Sequence, residues 1–152
     1  MWNVLVVDDV VLTCKFISEL LKGLAKCKIV FDGQEAIDAY LEKIETTNPY
    51  DVILMDIEMG KVDGITALKT IREHEKKSGI VGSISEMKSS EDKNKKNKGR
   101  SLKRVPVIMI TAYGDYIMNA FEAGCDNFIK KPIQKKELIE KITSVIELNK
   151  KK

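Results

Sequence analysis

Short apolar runs and longer helical stretches alternate along this chain. Val4-Leu5-Val6-Val7 is a continuous apolar run closed by Asp8-Asp9, the pattern of a strand buried on both faces. From Val10 to Lys26 the apolar positions Val10, Phe16, Ile17, Leu20, Leu21 and Leu24 recur at helical spacing, which predicts one amphipathic helix. Lys28 to Phe31 reads as a second strand stopped by Asp32-Gly33, and Gln34 to Lys43 as a helix through Ala36, Ile37, Tyr40 and Leu41. Tyr50 to Met55 predicts a third strand ending at Asp56. A helix then starts at Asp63-Gly64, with Asp63 as its N-cap, and continues through Ile65, Leu68 and Arg72. Beyond Arg104 the rhythm returns with a strand from Val105 to Ile110 ending at Thr111, and a helix from Asp115 to Ala123 stopped by Gly124. Asn127 to Ile129 follows as a strand ending at Lys130-Lys131-Pro132, and Lys136 to Leu148 as the last helix. Five such alternations predict βαβ units and an α/β fold: a doubly wound, five-stranded parallel sheet with five helices on its two faces.

One stretch, about 79–104, interrupts the rhythm. From Gly82 to Arg104 only Ile84, Met87 and Leu102 are clearly apolar. Structureless loops beyond about 15 residues are uncommon inside compact domains, so the expectation is a disordered basic insertion in one domain spanning 1–152. The net charge of +3 is unevenly placed: Glu75 to Arg104 holds ten Lys or Arg against four Asp or Glu. That basic run contains no aromatic residue for stacking, which argues against direct nucleic-acid binding and for a solvated loop.

With 152 residues the chain is long enough for a proper apolar core. Cys14, Cys27 and Cys125 fall in no zinc-ligand or CxxC spacing, and read as small buried hydrophobes in a reducing compartment. No apolar run reaches the roughly 18 residues of a membrane helix, and Met1-Trp2-Asn3 has no basic, signal-like start. The expected location is cytoplasmic, with no membrane contact.

Ligands of open α/β sheets bind beyond the carboxyl ends of the strands. The predicted ends carry Asp8-Asp9, Asp56, Thr111 and Lys131. Three carboxylates brought together repel one another unless a cation neutralises them. An all-oxygen site suits Mg²⁺ or Mn²⁺ rather than zinc. One Asp can then act as nucleophile toward a phosphoryl group, while a Lys ammonium and a Thr hydroxyl stabilise the transferred oxygens.

In this order, Val7-Asp8-Asp9, Leu54-Met55-Asp56, Asp63-Gly64, Ile110-Thr111-Ala112, Ala123-Gly124 and Lys131-Pro132, the chain resembles the receiver domain of two-component response regulators. The resemblance implies a flavodoxin-like sheet of strand order 2-1-3-4-5. It implies Asp56 as phosphoacceptor, Asp9 as a direct Mg²⁺ ligand, Asp8 as a ligand through water, and the backbone carbonyl of Glu58 completing the set. Lys131 would pair with the phosphoryl group across a cis bond to Pro132, with Thr111 and Phe128 as switch residues. Phe128 is also expected to pack in the core. The implied partners are a histidine kinase or histidine phosphotransfer protein, docking at the first helix near Val10, Val11 and Leu12. A downstream protein effector would read the fourth helix, fifth strand and fifth helix. With no effector segment after Lys152, the expectation is a single-domain regulator or the receiver of a hybrid histidine kinase, catalysing only its own phosphorylation and dephosphorylation. The chain departs from the family pattern at Gly60, where Pro is usual, which loosens the loop beside the metal site.

The competing reading is a Mg²⁺-dependent phosphatase with an Asp nucleophile, since Glu58 stands two residues after Asp56; no cap domain is present for its substrate. A flavodoxin-like electron carrier lacks the hydroxyl-rich phosphate loop a flavin needs. Asp8-Asp9 taken alone would cap the first helix, and Thr111 alone would satisfy backbone groups at a strand end. His74, the sole histidine, sits among Arg72, Glu75, Lys76 and Lys77 and reads as an exposed helix residue.

Overall fold

The computed structural model describes residues 1–60, 62–79 and 103–152. Five parallel strands, β1 (Trp2–Val7), β2 (Ala25–Val30), β3 (Val52–Asp56), β4 (Val107–Thr111) and β5 (Asn127–Lys130), pair in the order β2-β1-β3-β4-β5. They alternate with α1 (Val11–Leu20), α2 (Gly33–Ile44), α3 (Gly64–Lys77), α4 (Ile117–Ala123) and α5 (Lys135–Lys150). Strand order and helix count are those the resemblance implied.

Successive side chains of a strand point to opposite faces, so each central strand feeds two cores. Leu5, Val7, Ile53, Met55, Val107 and Met109 meet apolar residues of α2, α3 and α4, among them Ile37, Leu68, Ile71 and Ala120. The alternate set Val4, Val6, Val52, Leu54, Ile108 and Ile110 meets Cys14, Ile17 and Leu21 on one side and Leu138, Ile142 and Val145 of α5 on the other. Every residue of β3 and β4 is buried, which is why those strands read as continuous apolar runs.

The first helix is shorter than its periodicity predicts. It ends at Leu20, the chain turns through Gly23 at φ +81°, and β2 begins at Ala25 instead of Lys28. Ala25, Cys27 and Ile29 are half-buried while Lys26 and Lys28 are exposed, the period-two pattern of an edge strand covered on one side. Leu21 and Leu24 keep helical spacing past the helix end and hide that change.

Caps behave as written in the chain. Asp63 accepts from Thr66 N at 2.8 Å to start α3. Asp32 accepts from Glu35 N at 2.8 Å while Glu35 accepts from Phe31 N at 2.7 Å, a reciprocal cap on α2.

Arg72 and Glu75 of α3 are buried and paired at 2.8 Å, and the solvated reading of the chain at His74 and at Arg104 needs correction. Arg104, at the end of the basic stretch, pairs with Asp126 and donates to the Gly124 carbonyl at 2.7 Å, so it is anchored to the α4–β5 turn. His74 is half-buried rather than exposed, edge-on to Tyr40 with ring centroids 6.3 Å apart. Most of the predicted insertion, residues 80–102, lies outside the described residues. Among the described residues no helix is long and apolar enough to cross a membrane.

Candidate functional site

Sheet register assembles the site. Val7 pairs with Met55 and Asp56 with Ile110, so Asp8 and Asp56 leave adjacent strands side by side at the carboxyl edge. Thr111 pairs with Lys130, and Lys131 N donates to the Thr111 carbonyl at 2.8 Å, which swings Lys131 back over the same edge. Carboxylate oxygens of Asp8, Asp9 and Asp56 lie within 4.8 Å of one another. Asp8 is 1% exposed and Asp56 4%, while Asp9 is exposed.

One cation reaches into this cluster among the described residues. Lys131 Nζ stands 3.2 Å from Asp8 Oδ2 and 3.6 Å from Asp56 Oδ1. The other oxygen of Asp8 accepts from Val10 N at 2.8 Å, so Asp8 also orders the entry to α1. Beneath it, the buried Cys14 thiol donates to the Asp8 carbonyl oxygen at 3.3 Å.

The electrostatics follow. Burial pushes the Asp56 carboxyl up to about 6, and the neighbouring Asp8 charge adds to the rise. Lys131 and a hydrogen bond from the Glu58 backbone N–H pull the other way without restoring the usual carboxylate range. Burial alone would lower the Lys131 ammonium, but Asp56 and Asp8 outweigh it and its pKa is raised. The cluster therefore carries more negative charge than its own lysine compensates. The donors grouped there are carboxylate oxygens, a set that fits a hard divalent cation.

Other predicted residues are placed differently. Glu58 is exposed, and only its backbone approaches Asp56. The Thr111 hydroxyl is buried at the end of β4, donating to the Tyr113 carbonyl at 2.7 Å and accepting from Tyr113 N at 3.0 Å. Its partners are thus in the following turn, not in the carboxylate cluster. Phe128 is half-buried and packs against the core: its ring meets Phe121 of α4 edge to face, 6.1 Å between centroids, and Lys141 Nζ lies 4.8 Å over it. The Lys131–Pro132 bond is cis. A surface cavity of about 400 Å³ between Tyr40, Tyr50, Val105 and Ile146 opens at the opposite end of the sheet and involves none of these groups.

One contributor is not legible in the sequence. Cys14 carries no signal, because a buried thiol and a hydrogen-bonding one look alike in a helical pattern. Gly64, which the Asp63-Gly64 motif marks, lies at the start of α3 and against the backbone of Asp56.

The profile of the response regulator receiver domain matches residues 4–99. The chemotaxis protein CheY of Treponema pallidum is 32% identical over 95% of this chain and 83% of its own length. A probable histidine kinase 2 of rice (Oryza sativa subsp. indica) is 28% identical over 94% of this chain, which spans only 13% of that protein's length. Among solved structures, the chain superposes with a TM-score of 0.76 on one from the co-crystal of the Saccharomyces cerevisiae phosphotransfer protein Ypd1 with the receiver domain of Ssk1. That match is 28% identical and covers 95% of this chain and 88% of the other. Sheet order, the acidic cluster at its carboxyl edge and these matches agree: the chain belongs to the response regulator receiver domain family of two-component signalling.

Proposed function

We propose that residues 1–152 act as one phosphoaccepting switch in which Asp56 takes a phosphoryl group from a phosphohistidine of a histidine kinase or histidine phosphotransfer protein. The observation that carries this reading is the carboxylate cluster of Asp8, Asp9 and Asp56, served among the described residues by Lys131. In the transfer, an Asp56 carboxylate oxygen forms a bond to phosphorus as the phosphorus–nitrogen bond of the donor imidazole breaks. The imidazole leaves with that electron pair and takes a proton from solvent, and Asp56 becomes an acyl phosphate. Lys131, already between Asp8 and Asp56, neutralises charge on the phosphoryl oxygens.

The uncompensated charge and all-oxygen donors fit Mg²⁺ or Mn²⁺, held by Asp9, Asp56, the Glu58 carbonyl and, through water, Asp8. When bound, the cation supplies electrostatic stabilisation of the phosphoryl oxygens. Thr111 would exchange its Tyr113 partners for the phosphoryl group, and Phe128 would repack with it. Such a change shifts a two-state equilibrium of the surface formed by α4, β5 and α5. Exposed Tyr113, Tyr116, Met118 and Phe121 on that side would face a downstream protein effector. The donor would dock on α1, where Val10, Val11, Leu12 and Phe16 are exposed beside the site. The protein would thus catalyse only its own phosphorylation and dephosphorylation, in the cytoplasm. The phosphatase alternative requires the acid after the nucleophile to face it, whereas the Glu58 side chain is exposed.

Intact mass after incubation with acetyl phosphate and Mg²⁺ tests this. The expected result is one phosphoryl adduct, abolished by EDTA and by Asp56→Asn. A folded, Mg²⁺-binding protein that accepts no group from acetyl phosphate or from a phosphorylated phosphotransfer protein would overturn it.

A further inference from the structure

We infer that Gly64 is a positioning residue for Asp56: the first turn of α3 seats against the phosphoacceptor's own backbone, and only a residue without a side chain permits that seat. The inference rests on the reading of Asp56 as phosphoacceptor. A Cβ built on Gly64 would stand 2.1 Å from the Asp56 carbonyl oxygen and 3.0 Å from its carbonyl carbon. Real Cβ atoms do not approach oxygen so closely, so one of the two backbones has to move. The contact is reinforced from Gly64 itself, whose N–H donates to the Ile57 carbonyl at 2.9 Å. Ile57 in turn donates its N–H to the Ile110 carbonyl at 3.0 Å, tying the same peptide to β4. Asp63 holds the helix start in place by capping Thr66 N at 2.8 Å.

The Asp56 peptide is therefore clamped between α3 and β4, and its carboxylate inherits that position. Lys131 lies 3.6 Å from Asp56, and the three carboxylates share a space of 4.8 Å. Relieving the Gly64 contact takes a displacement of about 1 Å, and a misplacement of that size at a reacting group costs on the order of 100-fold in rate. The same loop is pinned at its other part by Gly33, where a Cβ would meet the Val62 carbonyl oxygen at 2.5 Å. That clash falls on the loop rather than on Asp56, so the two glycines make separable predictions.

The test compares Gly64→Ala with Gly114→Ala, whose new Cβ would make only an ordinary 3.8 Å contact with Ile117. Two readouts are taken in the full chain well below its melting temperature: the maximal rate of phosphoryl-adduct formation from acetyl phosphate, and the ¹³C resonance of the Asp56 carboxyl in metal-free protein. Gly64→Ala is expected to slow the reaction on the order of 100-fold and to move the resonance, while Gly114→Ala leaves both unchanged. Adding Met109→Ala, which removes the nearest side-chain atom, 3.0 Å from that Cβ, should not restore the rate, because the clash is with backbone. Should Gly64→Ala not fold, Asp63→Ala loosens the same helix start while keeping the glycine. It is expected to move the Asp56 resonance and slow the reaction severalfold. A folded Gly64→Ala with wild-type rate and resonance, recovery by Met109→Ala, or an unmoved resonance in Asp63→Ala overturns the inference. A wild-type chain that takes no phosphoryl group instead overturns the underlying reading of Asp56.

Discussion

Arg72 and Glu75, one turn apart on α3, are both buried and close on each other at 2.8 Å inside the fold. Neither pairs only with the other. Arg72 also donates to the Gly124 and Val105 carbonyls and reaches Asp126, and Glu75 accepts from Val105 N at 2.9 Å. The pair therefore ties α3 to the lead-in of β4 and to the turn before β5. Burial lowers the Arg72 pKa and Glu75 holds it back up.

Removing one partner leaves a buried charge uncompensated. Arg72→Met is expected to destabilise the protein by about 3–5 kcal/mol in urea denaturation. The double variant Arg72→Met with Glu75→Leu should recover only part of that loss, because the Val105 N–H and carbonyl stay unpaired, whereas the Gly124 carbonyl keeps Arg104. Full recovery would show that the backbone contacts contribute nothing.

Asp56 supplies a pH dependence with a defined sign. Its folded pKa of about 6 lies above the unfolded value near 3.8. The folded state thus holds the proton more tightly, and this contribution is fully present below pH 3.8 and lost as pH rises through 6. Asp56→Asn, which removes the charge, is expected to stabilise metal-free protein at neutral pH by up to about 3 kcal/mol. The gain should fade toward pH 4. A difference independent of pH between 4 and 7 would contradict the assignment.

Divalent cations should reverse that penalty. Calorimetry with Mg²⁺ against EDTA at neutral pH is expected to show a concentration-dependent rise in melting temperature, about 2.7 kcal/mol at a hundredfold excess over Kd. Asp9→Asn should remove most of it, because Asp9 is the exposed member of the cluster and has no ion-pair partner of its own among the described residues. Equal stabilisation of both proteins would place the cation elsewhere.

The cysteines should separate by burial. Cys14 and Cys125 are buried and their thiols are pushed up to about 11, chiefly by that burial. Cys27 is half-buried on the edge strand, and burial raises it as well. Native protein treated with iodoacetamide at about pH 8 is expected to take one adduct first, at Cys27, and three only after unfolding. Early labelling of Cys14 would mean that α1 opens beside the site.

The central strands were legible because burial on both faces leaves uninterrupted apolar runs, and Asp8, Asp56 and Lys131 were legible because such runs end where parallel strands converge. The end of α1 was not, since Leu21 and Leu24 continue the helical spacing past the turn at Gly23. Phe128 was legible as a core contact, but the place of its ring between Phe121 and Lys141 was not, because α4 and α5 supply those neighbours.

What residue order by itself determined is therefore the alternation of elements, their caps and the chemistry at the strand ends, because hydrophobic period and capping act within a few residues. Only the tertiary structure decided which charges are buried and how close two backbones come. Arg72 meets Asp126 and the Gly124 carbonyl, each more than fifty positions away, and Gly64 meets the carbonyl of Asp56. Those contacts depend on how α3 and the α4–β5 turn pack against the sheet, and packing is a property of distant surfaces that no window of sequence contains.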